Sequence, residues 1–300
     1  MFLTGISDEA GKPLASQIKA HQLLGWKTLE VRDVQIGDEP SANLHDISDA
    51  AFDRFVAGLE DAAMSVYCFS SRIANWGKKI DEPFESSLAE ARRAIPRMKR
   101  LGTRFIRIMS FAVRDGEDQM KEERFRRLRE LVKLFSDEGL VPVHENCMNY
   151  GGMGWPFTLE MLEAVPGLKL VFDTGNPVFT DDRSKDKPWP KQSAWTFFQQ
   201  VKPHVAYVHI KDGIWDAEKG TTRYCFPGEG QGNVSEIIAD LHASGYKGGV
   251  SIEPHMGAVY HEKDNATPAE AQFSTYVEYG KRLKKLVESI TGQPASGSPA

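Results

Sequence analysis

Cysteine is scarce. The 300 residues hold three, Cys68, Cys147 and Cys225, widely spaced and with no C-x-x-C pair. That excludes a disulfide-stapled scaffold and a thiolate zinc site, and it argues for free thiols in a reducing compartment. No stretch approaches the roughly 18 consecutive apolar residues of a membrane span. The opening residues, Met1-Phe2-Leu3-Thr4-Gly5-Ile6-Ser7-Asp8, have neither a basic segment nor a long apolar one, so no signal peptide is read there and a cytoplasmic protein is expected. An excess of positive charge is also missing, with 37 Lys and Arg against 42 Asp and Glu and a net charge of −5. An acidic chain of this kind is a poor partner for a nucleic-acid backbone. Neither a G-x-S-x-G elbow nor a P-loop occurs. Gly228-Glu229-Gly230-Gln231-Gly232-Asn233 lacks the third glycine of G-x-G-x-x-G and follows Phe226-Pro227 rather than a strand, which removes the dinucleotide reading. Its place ahead of a helix leaves an anion such as phosphate at a helix N-terminus open.

What the chain does have is a repeated form. Four apolar runs each deliver a polar group at their carboxyl end. They are Leu140-Val141-Pro142-Val143-His144-Glu145, Lys169-Leu170-Val171-Phe172-Asp173, Val205-Ala206-Tyr207-Val208-His209 and Gly249-Val250-Ser251-Ile252-Glu253. Buried parallel strands look like this where they leave the core. An Asp173 that merely caps the following turn is the plain alternative for that residue alone, but four such endings make a pattern.

The rest of the chain alternates in the same way. Strands are read at 2–7, 28–31, 65–69 and 104–109, then at 141–145, 169–173, 206–210 and 249–253. Helices are read at 13–24, 52–59, 88–101, 117–137, 159–164, 189–201, 234–243 and 268–290. Eight strands alternating with eight helices imply a parallel sheet with right-handed crossovers, and eight units close naturally into a (β/α)8 TIM barrel. A doubly wound open sheet is the competitor and usually needs fewer units. One domain is expected over residues 1–290, followed by a Gly/Ser/Pro-rich tail at 291–300 with little reason to be ordered. Arg107 falls inside a strand, where a charge needs a partner.

In a barrel the active site lies at the carboxyl ends of the strands. Glu145, Asp173, His209 and Glu253 then converge on one side of the mouth. Three carboxylates brought together repel unless they are protonated or neutralised, and one divalent metal ion resolves this. Oxygen ligands with one imidazole suit Mn2+, Mg2+ or Co2+, with Zn2+ also open.

The sequence resembles the xylose isomerase-like TIM barrel superfamily, in its sugar epimerase, inosose dehydratase and endonuclease IV branch. The resemblance runs from Gly5-Ile6-Ser7-Asp8-Glu9 to the closing helix. It is carried by His144-Glu145-Asn146, Phe172-Asp173-Thr174-Gly175-Asn176, His209-Ile210-Lys211-Asp212 and Ile252-Glu253-Pro254. It implies a metal-dependent sugar isomerase or epimerase acting on a small sugar or polyol ketone, with the metal held by Glu145, Asp173, His209 and Glu253. It also implies that Glu145 and Glu253 exchange a proton with the carbon beside the substrate carbonyl, and that the chain self-associates. Asn176 stands where epimerases and endonuclease IV often carry His, and His144, His204 and His255 do not complete the histidine set of a three-zinc nuclease. Lys211 is similar to the inosose dehydratase side, so a dehydratase, or a keto-glycoside lyase or hydrolase using the same site, is the alternative. A non-catalytic sugar-binding barrel is a further reading from another class.

Substrate contacts are expected from Arg72, Trp76, Asn176, Lys211, Arg223 and His255. Each has a plainer reading. Arg72 and Trp76 sit on what could be an ordinary surface loop, Lys211 could pair with Asp212, Arg223 could be solvated, and His255 could be a structural hydrogen-bonding group.

Overall fold

The computed structural model describes residues 1–116, 118–256 and 269–299. Eight parallel strands form one sheet: β1 Phe2–Gly5, β2 Thr28–Val31, β3 Ser65–Phe69, β4 Phe105–Ile108, β5 Val141–Glu145, β6 Lys169–Asp173, β7 Val205–Ile210 and β8 Gly249–Ile252. From β2 to β8 each pairs with its neighbour in sequence, and β1 pairs with β8, so the order runs β1-β8-β7-β6-β5-β4-β3-β2. This is a nearly closed (β/α)8 barrel, as the alternation predicts.

Closure falls between β1 and β2, where the sheet has no continuous ladder. Near the carboxyl ends an Ile6–Glu30 bridge spans the seam, and the Thr4 hydroxyl donates to the Thr28 carbonyl at 2.8 Å. At the other end the chain's own tail fills it. The N–H of Leu3 donates to the Ser296 carbonyl at 2.8 Å, and that of Lys27 to the Gly297 carbonyl at 2.8 Å. The tail, expected from its composition to have little reason to be ordered, makes these contacts through Ser296 and Gly297. Strand edges that would otherwise be left without partners give its backbone a place to bind.

Among the described residues, eight helices of eight residues or more cover the barrel: α1 Leu14–Leu24, α2 Asp49–Asp61, α3 Glu85–Leu101, α4 Lys121–Ser136, α5 Trp155–Ala164, α6 Ala194–Val201, α7 Val234–Ala243 and α8 Ala269–Thr291. Their sequences explain their ends. Gly25 closes α1 in the left-handed conformation at φ 72°, and Ser48 caps α2 by accepting from the Ala51 N–H. Phe52, Phe55, Val56 and Leu59 form the buried stripe of α2. Each such side chain contributes about 1.5–3 kcal/mol on burial. In α1 the buried face is Gln17, Ala20, His21 and Leu24, whereas Leu23, which the pattern places on the stripe, is 56% exposed. Trp189 lies outside α6, which is shorter than the pattern suggests. Two antiparallel hairpins, Asp33–Val34 with Ala42–Asn43 and Asp212–Asp216 with Thr221–Cys225, decorate the carboxyl-end loops and are not legible as strands in the sequence. No helix among the described residues is long and apolar enough to cross a membrane.

Candidate functional site

The period-2 alternation of the strands builds the site. A small buried cluster inside the barrel contains Cys68, Val143, Val171 and Tyr207. Two residues further along the same strands, and therefore on the same inward face, come Glu145 on β5, Asp173 on β6 and His209 on β7. Glu253 follows β8 directly. All four are buried, and one ligand atom from each lies within 4.8 Å of the others.

Two inner atoms of this group, His209 Nδ1 and Asp173 Oδ2, lack a hydrogen-bond partner. His209 Nδ1 has no hydrogen-bond partner although it is buried; it lies 3.7 Å from Glu253 Oε2, 3.9 Å from Asp173 Oδ2 and 4.0 Å from Glu145 Oε1. Asp173 divides its oxygens. Oδ1 accepts from the backbone N–H of Gly175 at 2.8 Å and of Asn176 at 2.7 Å, so the capping role is real. Oδ2 is left with an ionic contact to Lys211 Nζ at 3.1 Å and no well-formed hydrogen bond. Burial, reinforced by Glu253 and Glu145 against the opposing pull of Lys211, raises the Asp173 pKa to about 8. Three oxygens and a bare imidazole nitrogen facing one point form a donor set that fits a divalent cation.

Each glutamate is clamped at both oxygens. Arg107 donates to Glu145 Oε2 at 2.6 Å and Asn176 Nδ2 to Oε1 at 2.9 Å, so the strand arginine finds its partner. Arg32 donates to Glu253 Oε1 at 3.0 Å and Lys211 Nζ to Oε2 at 2.8 Å. Burial opposes ionisation of Glu253, but Lys211 and the neighbouring His255, His209 and Arg32 outweigh it and hold its pKa well below the usual carboxylate range. Lys211 therefore pairs with Glu253 and Asp173, which corrects the plainer expectation of a bridge to Asp212.

The glycine-rich segment is explained by Asp212. Its carboxylate accepts from the backbone N–H groups of Gly213 (2.9 Å), Gly228 (2.9 Å), Gly230 (3.0 Å) and Gly232 (2.9 Å). A Cβ on Gly230 would collide with Asp212 Oδ1. The anion this loop cradles is the protein's own side chain, so the phosphate reading falls.

A cavity of about 210 Å³ opens beside the cluster, with Glu145 and Glu253 in its lining and Asp173 and His209 buried behind it. Arg72, Trp76, Asn176, Lys211 and His255 all line it. Arg72 also pairs with Asp33. His255 is held by Glu9, which accepts from its N–H at 2.8 Å and lies 2.9 Å from Nδ1. That grip fixes a φ of 53°, unusual for a residue with a side chain. Arg223 is exposed on the hairpin and is not in the lining of this cavity. The alternation of the strand turns its neighbour Tyr224 inward instead, with its ring 5.3 Å from that of His255.

Glu30 was missed by the sequence reading. It sits on β2 at a register shift and is fully buried. Both of its oxygens lie 3.0 Å from His209 Nε2, and it accepts hydrogen bonds from Ser70, Tyr207 and Ser251. Burial works against its charge, yet His209, Ser70 and Ser251 bring its pKa down to about 2. Glu30 thus takes the Nε2–H of His209 and turns Nδ1 toward the carboxylates. Such outer carboxylate partners orient metal-binding histidines. The argument applied to Arg107, that a charge within a strand needs a partner, would have found it. Arg32, which follows β2 and has Asp8 and Glu9 as further partners at 3.0 and 3.3 Å, likewise lies outside the site residues expected from the sequence.

With this geometry in hand, comparison with known proteins is informative. The family described as xylose isomerase-like TIM barrel matches residues 18–277. The chain belongs to that family. No curated protein sequence matches it. Among solved structures, a xylose isomerase-like TIM barrel protein from Mycobacterium smegmatis in complex with magnesium is 16% identical at a TM-score of 0.67, with 97% of each chain covered. The probable 3-DHS dehydratase AsbF from Bacillus anthracis is 17% identical at 0.65, covering 94% of this chain and 98% of that one. D-psicose 3-epimerase from Clostridium cellulolyticum H10 is 14% identical at 0.67, covering 97% and 99%. At these identities the likeness is one of fold.

Proposed function

We propose that this family member is a divalent-metal-dependent sugar isomerase or epimerase that moves a proton on the carbon beside a substrate carbonyl. The observation that carries this reading is the bare Nδ1 of His209 among three buried carboxylates, with four candidate ligand atoms all within 4.8 Å of one another. Glu145, Asp173, His209 and Glu253 would hold the ion, which could be Mn2+, Mg2+, Co2+ or Zn2+. When bound, the ion polarises a carbonyl and an adjacent hydroxyl and so makes the neighbouring carbon acidic.

The protein's own groups do the rest. Glu145 and Glu253 are the bases. Glu253 enters ionised, as its depressed pKa requires, and can accept a proton from carbon. Arg107 and Asn176 fix one carboxylate and Arg32 and Lys211 the other, so neither swings away without losing a charge-assisted hydrogen bond. Glu30 keeps the His209 ring in place. A proton taken by one glutamate and returned by the other inverts the carbon.

One observation favours a second reading, a dehydratase or lyase. The Lys211 ammonium lines the cavity beside Glu253 and can donate to a departing hydroxyl after the carbon has lost its proton. The two are separated by incubating the Mn2+-loaded protein in D2O with ketoses, inososes and keto-glycosides. An epimerase puts deuterium into its product. A dehydratase releases water and yields an ultraviolet-absorbing conjugated ketone. No carbon–hydrogen exchange with any of these compounds would overturn both.

A further inference from the structure

The cavity over the candidate metal site is the innermost of three that adjoin. It measures about 210 Å³ and shares Trp76 and Cys147 with a second of about 390 Å³. The second shares Met153 and Arg183 with a third of about 610 Å³, bordered by Phe157 and Trp189. If each of six CHOH units displaces about one water's share of roughly 30 Å³, one hexose needs about 180 Å³ and fills the innermost space alone. The groove beyond it is larger and different in chemistry. Around the middle cavity the side chains of Trp76, Val113, Met148, Met153 and Phe179 supply apolar surface. Trp76 is 38% exposed, one of two large apolar side chains that face solvent among the described residues. An exposed aromatic at the junction of two cavities marks a binding surface.

The charges argue against a phosphorylated substrate. Near the metal site, Arg32, Arg107, Lys211 and Arg72 already carry carboxylate partners. Arg183, the cation of the middle cavity, lies 4.5 Å from the Trp189 ring centroid and donates to the Arg114 carbonyl at 3.3 Å, with Asp181 in the same lining.

We propose that the substrate is a glycoside, a keto sugar seated over the metal site whose apolar or aromatic aglycone lies along the Trp76–Phe179–Met153 groove. The keto-sugar half of this statement rests on the proton-transfer reading above; the aglycone half rests on the groove. Equilibrium binding separates them, because it needs no turnover. Calorimetric titration of the Mg2+-loaded protein with phenyl glucoside, methyl glucoside and glucose 6-phosphate should show the phenyl compound binding about tenfold or more tightly than the methyl one. The phosphate should bind no better than the methyl glucoside. Met153→Glu, which puts a charge on the groove wall, should bring the phenyl-to-methyl ratio close to one, with circular dichroism checking that the variant is folded. Equal affinities for phenyl and methyl glucoside, tighter binding of the phosphate, or no measurable binding of the phenyl glucoside would overturn the proposal. A phenyl preference without carbon–hydrogen exchange in any ketose, inosose or keto-glycoside would sink the proton-transfer reading and leave the groove assigned. Exchange without the preference would do the reverse.

Discussion

Two buried acids near the mouth of the barrel, Asp212 and Asp173, differ in how completely they are satisfied. Asp212 accepts four backbone N–H bonds. Burial raises its pKa even so, against the pull of those donors. Asp173 uses one oxygen in the same manner and leaves the other, with His209 Nδ1, facing Glu145 and Glu253 without a hydrogen bond. A buried polar atom without a partner costs roughly 1–3 kcal/mol, so a fold keeps several together only where something else is meant to bind. Asp212 is architecture by this criterion, and the four-residue cluster is the candidate site.

The largest expected effect that tests this contrast is on turnover. Glu145→Gln or Glu253→Gln, measured at saturating metal, should lower the rate by about 10²–10⁴-fold, because Gln keeps the shape but cannot take a proton. Asp212→Asn should leave the ratio of the two glutamate effects untouched and instead lower stability by about 2–4 kcal/mol, read by denaturant unfolding. Asn offers one acceptor oxygen where four N–H groups converge, and turns its own NH2 toward the rest. Should Asp212→Asn prove as stable as the parent while abolishing activity, the assignment of roles would be inverted.

A smaller effect concerns Glu30. Glu30→Gln should weaken metal binding by about 10–100-fold in calorimetry, since the amide holds the His209 Nε2–H less firmly. The same substitution should leave the Asp212 cradle intact. Unchanged metal affinity would remove the orienting role.

The smallest effect is one of pH. The folded-state pKa values of Asp173, about 8, and His209, about 9, both exceed their ordinary values of 3.8 and 6.5. For His209 burial alone would lower the value, and Glu30 reverses it. The metal-free folded protein thus binds protons that the unfolded chain has released. Its stability should fall as pH rises, beginning near 4 for Asp173 and between 6.5 and about 9 for His209. Glu30, brought down to about 2, acts oppositely, and its contribution is lost only below pH 4.5. Bound metal displaces the protons from Asp173 and His209, so the gain in melting temperature on adding Mg2+ or Mn2+ should grow from pH 6 to pH 9. A metal-free melting temperature that climbs over that range would contradict the assignment.

The sequence carried Glu145, Asp173, His209 and Glu253 openly, because each stands at the end of an apolar run and a strand's period of 2 fixes which face it takes. It carried Arg107 as a charge in want of a partner. It could not show where Arg223 lies, since the loop after β7 folds into a hairpin whose alternation turns Tyr224 inward and Arg223 out. Nor could it show that the Gly228–Gly232 segment wraps Asp212, a contact made by backbone groups that leave no mark beyond the glycines themselves.

What the sequence determined by itself is the barrel and its cluster of three acids and a histidine at the strand ends. Both follow from local period and strand order, which any parallel barrel converts into neighbourhood. Only the tertiary structure decided which nitrogen of His209 faces the carboxylates, because Glu30 reaches it from β2, 179 residues away along the chain. Only the tertiary structure joined three cavities into a groove and drew the tail at Ser296 and Gly297 into the seam between β1 and β2. Contacts of that kind depend on where distant segments come to rest, and no window of sequence contains both partners.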